Sequence, residues 1–314
     1  MKHHELPYND YGMAMRRRLG GRVQKLAIDA AMNCPHRNRE RVHGGCTFCL
    51  SEAFSPAYCR TAKSITEQID IGIEFHAARR RNGEIYLAYL QSGTNTLASI
   101  DTLEKVYTEA LNHPKVSGLI IGTRPDCISS EILDLLDYLS KRHYIAIEYG
   151  IESTYDTTLT HVNRGHDFAC AQHAIEQTRQ HNIDIGAHFI IGLPDENREQ
   201  IVAQTERINR LGIDFIKFHQ LQIYHSTPMA TEWMEHPERF LFCNGDNQEE
   251  YLSLIIDILR RLDPAIAIER IASTAPRHLL LHSPLSGVRT DTLRNNLIEC
   301  MQKLQIKQGD LCSK

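Results

Sequence analysis

The sequence predicts an α/β protein built on a parallel sheet. Three observations carry that expectation. Short β-prone apolar segments recur about every thirty residues, each is followed by a longer amphipathic stretch, and several are apolar nearly throughout, as strands covered on both faces are. Alternation of this kind implies parallel strands joined by right-handed crossovers.

In chain order, the first strand is expected over Lys25–Ala30 and the second over Ile85–Gln91. Between them Ser64-Ile-Thr-Glu67 reads as a capping box, hydroxyl and carboxylate each satisfying a free amide of the first turn. The helix it opens carries Ile65, Ile69 and Ile73 on one side. Gly118–Gly122, with Leu119-Ile120-Ile121 at its centre, is the third strand, and Ile132, Leu133, Leu135, Leu136 and Leu139 mark the apolar face of the next helix. Tyr144–Ile151, Ile185–Gly192 and Phe215–Leu221 bring the strands to six, short of the eight in a complete barrel. A doubly wound open sheet competes with a barrel, and periodicity does not choose between them. After residue 236 the rhythm changes to a helix over Tyr251–Leu262, a strand over Ala265–Ile271 and a helix over Asp291–Leu304. This divides the chain into a lead-in (1–21), a main body (22–235) and a small carboxy-terminal α/β extension (236–314) that frays from Lys307.

The 314 residues are 42% apolar and 24% charged, with 35 Lys+Arg against 39 Asp+Glu and a formal charge of −4. That is a globular balance, without the basic excess of a protein that coats nucleic acid. No apolar run approaches the roughly 18–20 residues that span a bilayer, and the amino terminus has no apolar stretch to serve as a secretory signal. Nine cysteines, an odd number scattered over a long chain, do not make a disulfide scaffold. The expected compartment is reducing, the cytoplasm, and the cysteines are thiols or thiolate ligands.

Three of them cluster in Cys34-Pro-His-Arg-Asn-Arg-Glu-Arg-Val-His-Gly-Gly-Cys46-Thr-Phe-Cys49, the loop after the first strand. The carboxyl edge of an α/β sheet is where sites are built. Soft thiolates select zinc, copper(I) or iron–sulfur clusters, and Gly44 and Gly45 let the backbone fold closely around them. Three thiolates leave a [4Fe–4S] cluster one iron short of four-cysteine ligation, open to an exchangeable ligand. A structural zinc site instead wants four ligands, which His36, His43 or Cys59 could complete. A thioredoxin-like Cys46/Cys49 pair is the third reading.

The three-cysteine loop, with Phe48 immediately before the last cysteine, resembles the radical S-adenosylmethionine (SAM) superfamily. Its spacing is similar to that of the Elongator catalytic subunit and, above all, of the YhcC-type bacterial proteins. Further landmarks follow in order: Gln91-Ser92-Gly93-Thr94-Asn95-Thr96, Thr123-Arg124-Pro125-Asp126, Glu148-Tyr-Gly-Ile-Glu152-Ser153, Asn163-Arg164-Gly165-His166 and Ile191-Gly192-Leu193-Pro194. The resemblance covers residues 22–235. It implies a partial (β/α)6 TIM-like barrel. It also implies a [4Fe-4S] cluster on Cys34, Cys46 and Cys49 whose fourth iron is chelated by SAM, and reductive cleavage of SAM to a 5′-deoxyadenosyl radical that abstracts hydrogen from a substrate.

By the same resemblance Phe48 lies near the adenine, with a core aromatic as the alternative. Ser92, Gly93 and Thr94 align with the glycine-rich motif that meets the methionyl amine. Glu152 and Arg164 align with cofactor-contacting Gln and Arg residues of the oxygen-independent coproporphyrinogen oxidase, and Arg164 can fork onto the methionyl carboxylate. His188 aligns with a cofactor-contacting Asp of that relative, or is a satisfied core histidine. Gly192-Leu193-Pro194 offers backbone to adenine or turns the chain. Gly122 stands where some relatives carry Glu. Arg124 and Asp126 read as a loop-locking salt bridge, with substrate contact as the alternative, and Cys127 as a buried thiol, with hydrogen-atom donation to a radical as the alternative. No catalytic residue is assigned.

The expected activity is therefore that of a radical SAM enzyme served by an electron donor such as flavodoxin or ferredoxin. Its substrate is either RNA, suggested by the Elongator resemblance and by basic runs at Arg16-Arg17-Arg18, Arg37/Arg39/Arg41 and Arg79-Arg80-Arg81, or a small metabolite. The rival from another class is a zinc-stabilised binding module without chemistry.

Overall fold

A computed structural model describes residues 6–36, 44–50, 56–62, 64–79, 83–243, 247–285 and 287–312. The strands are β1 (Val23–Ile28), β2 (Ile85–Leu90), β3 (Val116–Thr123), β4 (Tyr144–Glu152), β5 (Asp184–Ile191), β6 (Phe215–Gln220), β7 (Ile223–Tyr224), β8 (Ala267–Arg270) and β9 (Leu280–His282). The first six and β8 form one parallel sheet in the order β1-β2-β3-β4-β5-β6-β8, while β7 and β9 pair as a small antiparallel ribbon. A doubly wound sheet reverses its order at a switch point; this one never reverses. Right-handed crossovers between successive neighbours put the connecting helices on one face. The sheet curls around its other face into a half-barrel, and among the described residues β1 and β8 are not paired to each other.

The helices are α1 (Tyr11–Leu19), α2 (Ala57–Thr61), α3 (Ile65–Ala78), α4 (Ile100–Leu111), α5 (Ser130–Ser140), α6 (Asp156–His161), α7 (Phe168–Thr178), α8 (Arg198–Asn209), α9 (Pro228–Glu235), α10 (Gln248–Arg261) and α11 (Thr290–Lys303). Local chemistry fixes where they start. Ser64 Oγ accepts from Glu67 N (3.1 Å) at α3, and at α8 Asn197 and Gln200 form a reciprocal capping box. Period-two alternation then divides each strand between two cores. Outward-facing Leu26, Ile28, Leu119, Ile121, Ile147, Tyr149, Phe189 and Phe218 pack with Ile69 of α3, Leu103 and Tyr107 of α4, Leu136 of α5, Ile175 of α7 and Leu259 of α10.

Inward-facing Leu87, Tyr89, Ile120, Ala146, Phe215 and Ala267 pack against Tyr11 and Met15 of α1. This helix plugs the amino-terminal end of the half-barrel. The Tyr11 and Phe215 rings are 4.9 Å apart, and Arg18 Nη2 lies 2.6 Å from Asp184 Oδ1 at the start of β5. The barrel therefore opens at the carboxyl ends of its strands.

Three expectations are revised. The strand read at Ala265–Ile271 joins β6 in parallel as a seventh strand of the barrel sheet, because periodicity reveals a strand but not its neighbour. The first strand begins two residues early, at Val23. The tail is not frayed from Lys307: Gln308 N donates to Pro7 O (2.9 Å), Leu311 N donates to Arg260 O (2.7 Å), and the Gln308 amide bonds Asp263 O, Ile266 O and Asn9 N. One buried amide thus ties the two ends of the chain to the loop before β8.

The basic run Arg16-Arg17-Arg18 occupies the last turn of α1, at the closed end, where cations oppose the helix dipole. Arg79 caps α3 with its guanidinium 3.6 Å from the Phe75 ring centroid. Arg37, Arg39, Arg41, His43, Arg80 and Arg81 lie outside the described residues. Among the described residues no helix is long and apolar enough to cross a membrane.

Candidate active site

Ten residues singled out in the sequence, Cys34, Cys46, Phe48, Cys49, Ser92, Gly93, Thr94, Glu152, Arg164 and His188, line one cavity at the open end of the half-barrel. They arrive from the loops after β1 and β2, the carboxyl-terminal halves of β4 and β5 and the turn after α6, and backbone contacts explain why these segments converge. The loop after β2 meets the cysteine segment where Thr94 N donates to Asn33 O (3.1 Å). Gly93 makes this approach possible: its φ is 80°, and a Cβ there would sit 2.4 Å from Met32 O. The Cys46–Cys49 turn closes by Cys49 N to Cys46 O (3.0 Å) and is stitched to the end of α6 by Thr47 N to Val162 O (3.0 Å) and Asn163 Nδ2 to Gly45 O (2.8 Å). Gly165 (φ 79°) lies against the His36 ring, which would be 2.0 Å from a Cβ.

Arg164 is the hub of this arrangement. Its Nη1 donates to Cys46 Sγ (3.5 Å), its Nη2 donates to Gly150 O (2.5 Å), and Glu152 Oε1 is 3.7 Å away. A side chain at Gly150 would collide with both Glu152 and Arg164, so glycine is needed where they cross. Glu152 holds a left-handed φ of 76° at a bulge in β4, a strained backbone fixed by its neighbours. One of them is Ser153, whose Oγ donates to the buried carboxylate of Glu196 (2.5 Å). Arg124 forks onto Asp126 (2.8 and 2.9 Å) and donates to Arg164 O (2.7 Å), and it also lines the cavity.

Two guanidinium nitrogens, Arg164 Nε and Arg124 Nη1, are buried with no acceptor among the described residues. Buried unpaired donors are costly, so this end of the cavity calls for an anionic ligand. Burial, with the Arg164 charge, pushes His166 down to about 4, and burial with Arg124 and Arg164 lowers His36, so neither imidazole adds a competing cation near pH 7. Three thiols lining the cavity together with orphaned guanidinium donors suit, by their chemistry, a metal–sulfur cluster with a carboxylate-bearing ligand. Among the described residues no three His, Cys, Asp or Glu side chains gather as a single metal ion requires. Cys59 is not among the residues lining the cavity; its thiol donates to Ala27 O (3.5 Å) and burial pushes it up to about 12. Burial likewise pushes Cys127 up to about 11. Phe48 both lines the cavity and packs with Leu193, Leu221 and Met229. Gly192 turns the chain at φ 90° above buried Leu193.

The floor of the cavity holds residues that sequence reasoning missed. Glu148, fully buried on β4 and in register with Gly122, accepts from Lys25 (2.8 Å), Lys217 (2.5 Å) and His188 Nε2 (2.9 Å). Glu269 on β8 pairs with the same two lysines at 2.5 and 3.2 Å, and Lys217 also donates to Tyr89 Oη (3.1 Å). Burial would raise the Glu148 carboxyl, but Lys217, Lys25 and His188 hold it well below its ordinary value. His188 therefore has both a partner and a wall of the cavity. The signal was present in the sequence: in Phe215-Ile-Lys-Phe-His-Gln220 and Tyr144-Ile-Ala-Ile-Glu148, charges interrupt apolar strands at inward-facing positions.

Known proteins share this architecture. The family model described as Radical SAM superfamily matches residues 34–207, and that of the Radical_SAM C-terminal domain matches 213–299. Protein YhcC of Escherichia coli is 34% identical over 275 residues, 87% of this chain and 85% of its own length. Elongator complex protein 3 of Schizosaccharomyces pombe is 23% identical over 78% of this chain and 43% of its own. The structure of archaeal Methanocaldococcus infernus Elp3 superposes with a TM-score of 0.69 at 17% identity, covering 91% of this chain and 64% of that one. Three thiols in the loop after β1, a half-barrel closed at its other end, and these matches lead to one conclusion: the chain is an enzyme of the radical SAM superfamily, of the YhcC type and related to the Elongator subunit.

Proposed function

We propose that Cys34, Cys46 and Cys49 hold a [4Fe-4S] cluster, that SAM binds beside it, and that the pair acts on a small-molecule substrate in the half-barrel. The observation that carries this is the convergence of the three thiols and the seven expected cofactor contacts on one cavity. When bound, the cluster and SAM supply reductive cleavage of a sulfonium bond and hydrogen-atom abstraction. The chain's own residues bind and shield. Arg164 offers its unpaired Nε to the methionyl carboxylate, the Ser92–Thr94 backbone faces the amine, and Phe48 presents an aromatic surface to adenine. Below them α1 and the apolar inner face exclude water, and Glu148 fixes the tautomer and direction of His188. A flavodoxin- or ferredoxin-like protein would supply the electron.

RNA as the substrate has less support. The Arg16–Arg18 run and Arg79, the described part of the basic runs, lie at helix ends on the closed side, away from the cavity.

Anaerobic reconstitution with iron and sulfide, followed by dithionite and SAM, is expected to release 5′-deoxyadenosine. A protein carrying a full cluster that releases none contradicts the reading.

A further inference from the structure

The cavity continues past the expected cofactor contacts into a cleft along the open edge of the half-barrel. His219, Gln222, Tyr224 and Arg270 line both parts. Resting on the functional reading above, we propose that Arg270 and His219 form the recognition site for an oxyanion, carboxylate or phosphate, carried by the small-molecule substrate.

β8 pairs with β6 through Ile216–Ile268 and then Lys217–Arg270, skipping Glu269 in a bulge. A bulge turns two successive side chains toward one side of the strand. Glu269 thereby reaches the buried lysines, while Arg270 faces the cleft. Lys25 and Lys217 are matched by Glu148 and Glu269, so the buried network is neutral without Arg270. Asp10 at the outer rim is paired with Arg294 (2.9 Å), and Asp291 lines the same rim. Among the described residues Arg270 has no ion pair or hydrogen bond; its side chain is exposed and lines the cleft.

His219 Nε2 is buried with no partner among the described residues, and its ring stands 5.2 Å from that of His188. Burial and the neighbouring His188, Arg270 and Lys217 hold His219 well below its ordinary value, so it is neutral near pH 7 and can donate one N–H. A guanidinium fork and a neutral imidazole donor on adjacent strands suit an oxyanion entering from the side. They sit on β6 and β8, at the opposite edge of the sheet from β1 and the cysteine loop that follows it, so this anion is distinct from the methionyl carboxylate assigned to Arg164.

The test uses the reconstituted protein saturated with SAM, which fills the Arg164 end. Thermal unfolding is followed at constant ionic strength with inorganic phosphate, with succinate, and with a single-stranded RNA oligonucleotide. One small anion is expected to raise the Tm saturably. Arg270→Gln should weaken that effect about tenfold or more, as loss of a charge-assisted bond does, while Arg17→Gln at the closed end should leave it intact. Phosphate or succinate as the effective probe identifies the oxyanion. Failure of both small anions, stabilisation by RNA alone, or an undiminished effect in Arg270→Gln overturns the proposal. Iron content and the SAM-induced spectral change, read on the same wild-type sample, separate this failure from failure of the cluster reading.

Discussion

Lys217→Met is expected to lower the free energy of unfolding by about 3 kcal/mol, the penalty for stranding half of a buried ion pair. The carboxylate left behind, Glu148, is fully buried and would keep only Lys25 and His188. Urea unfolding of the apoprotein under reducing conditions measures the loss. The double variant Lys217→Met/Glu148→Gln, which removes charge from both sides, is expected to recover more than half of it, since an apolar or neutral replacement of a whole pair is often nearly neutral. A double variant no more stable than Lys217→Met would show that packing, not the pair, sets the cost. The sign with pH follows. Because the Glu148 carboxyl is held below its ordinary value, its ionised form contributes stability fully above about pH 4.3 and the contribution fades as pH falls through the depressed value. Lys217→Met should flatten this acid-side loss.

Cys49→Ala is expected to abolish the broad brown absorption after reconstitution and, with it, 5′-deoxyadenosine release, while leaving the fold intact. The turn around Cys49 is held by backbone bonds, Cys49 N to Cys46 O and Thr47 to Val162 and Met229, none of which needs the thiol. Circular dichroism should therefore match the wild type. Cys59→Ala is the contrasting substitution: its thiol is buried against Ala27 O, and its loss is expected to lower stability slightly without changing iron content. Equal iron in Cys49→Ala and wild type would remove Cys49 from the ligand set.

What could be read in the sequence follows from what each pattern encodes. Strands β1–β6 announced themselves as recurring apolar segments, nearly continuous in β2 and at the centre of β3, because both faces of the sheet are covered. The allegiance of β8 did not, because joining β6 is a long-range choice that no local pattern carries. The ten candidate contacts were legible as motifs at strand ends, where glycines such as Gly93 and Gly165 permit close approach. The Lys25–Glu148–Lys217–Glu269 network was not, although its charges stand in plain view. Pairing them requires knowing that four strands direct those positions into one interior. Arg270 is harder still, since its direction depends on a bulge that strict alternation would have denied.

Three thiolates that leave one iron of a cluster open to SAM are the core of the proposed function. The low-temperature electron paramagnetic resonance spectrum of the reduced, reconstituted protein, recorded before and after SAM is added, tests this most directly. A [4Fe–4S]⁺ signal that changes when SAM binds is the expected result. A full cluster whose signal is indifferent to SAM, or a protein that takes up zinc and shows no cluster signal, would contradict it.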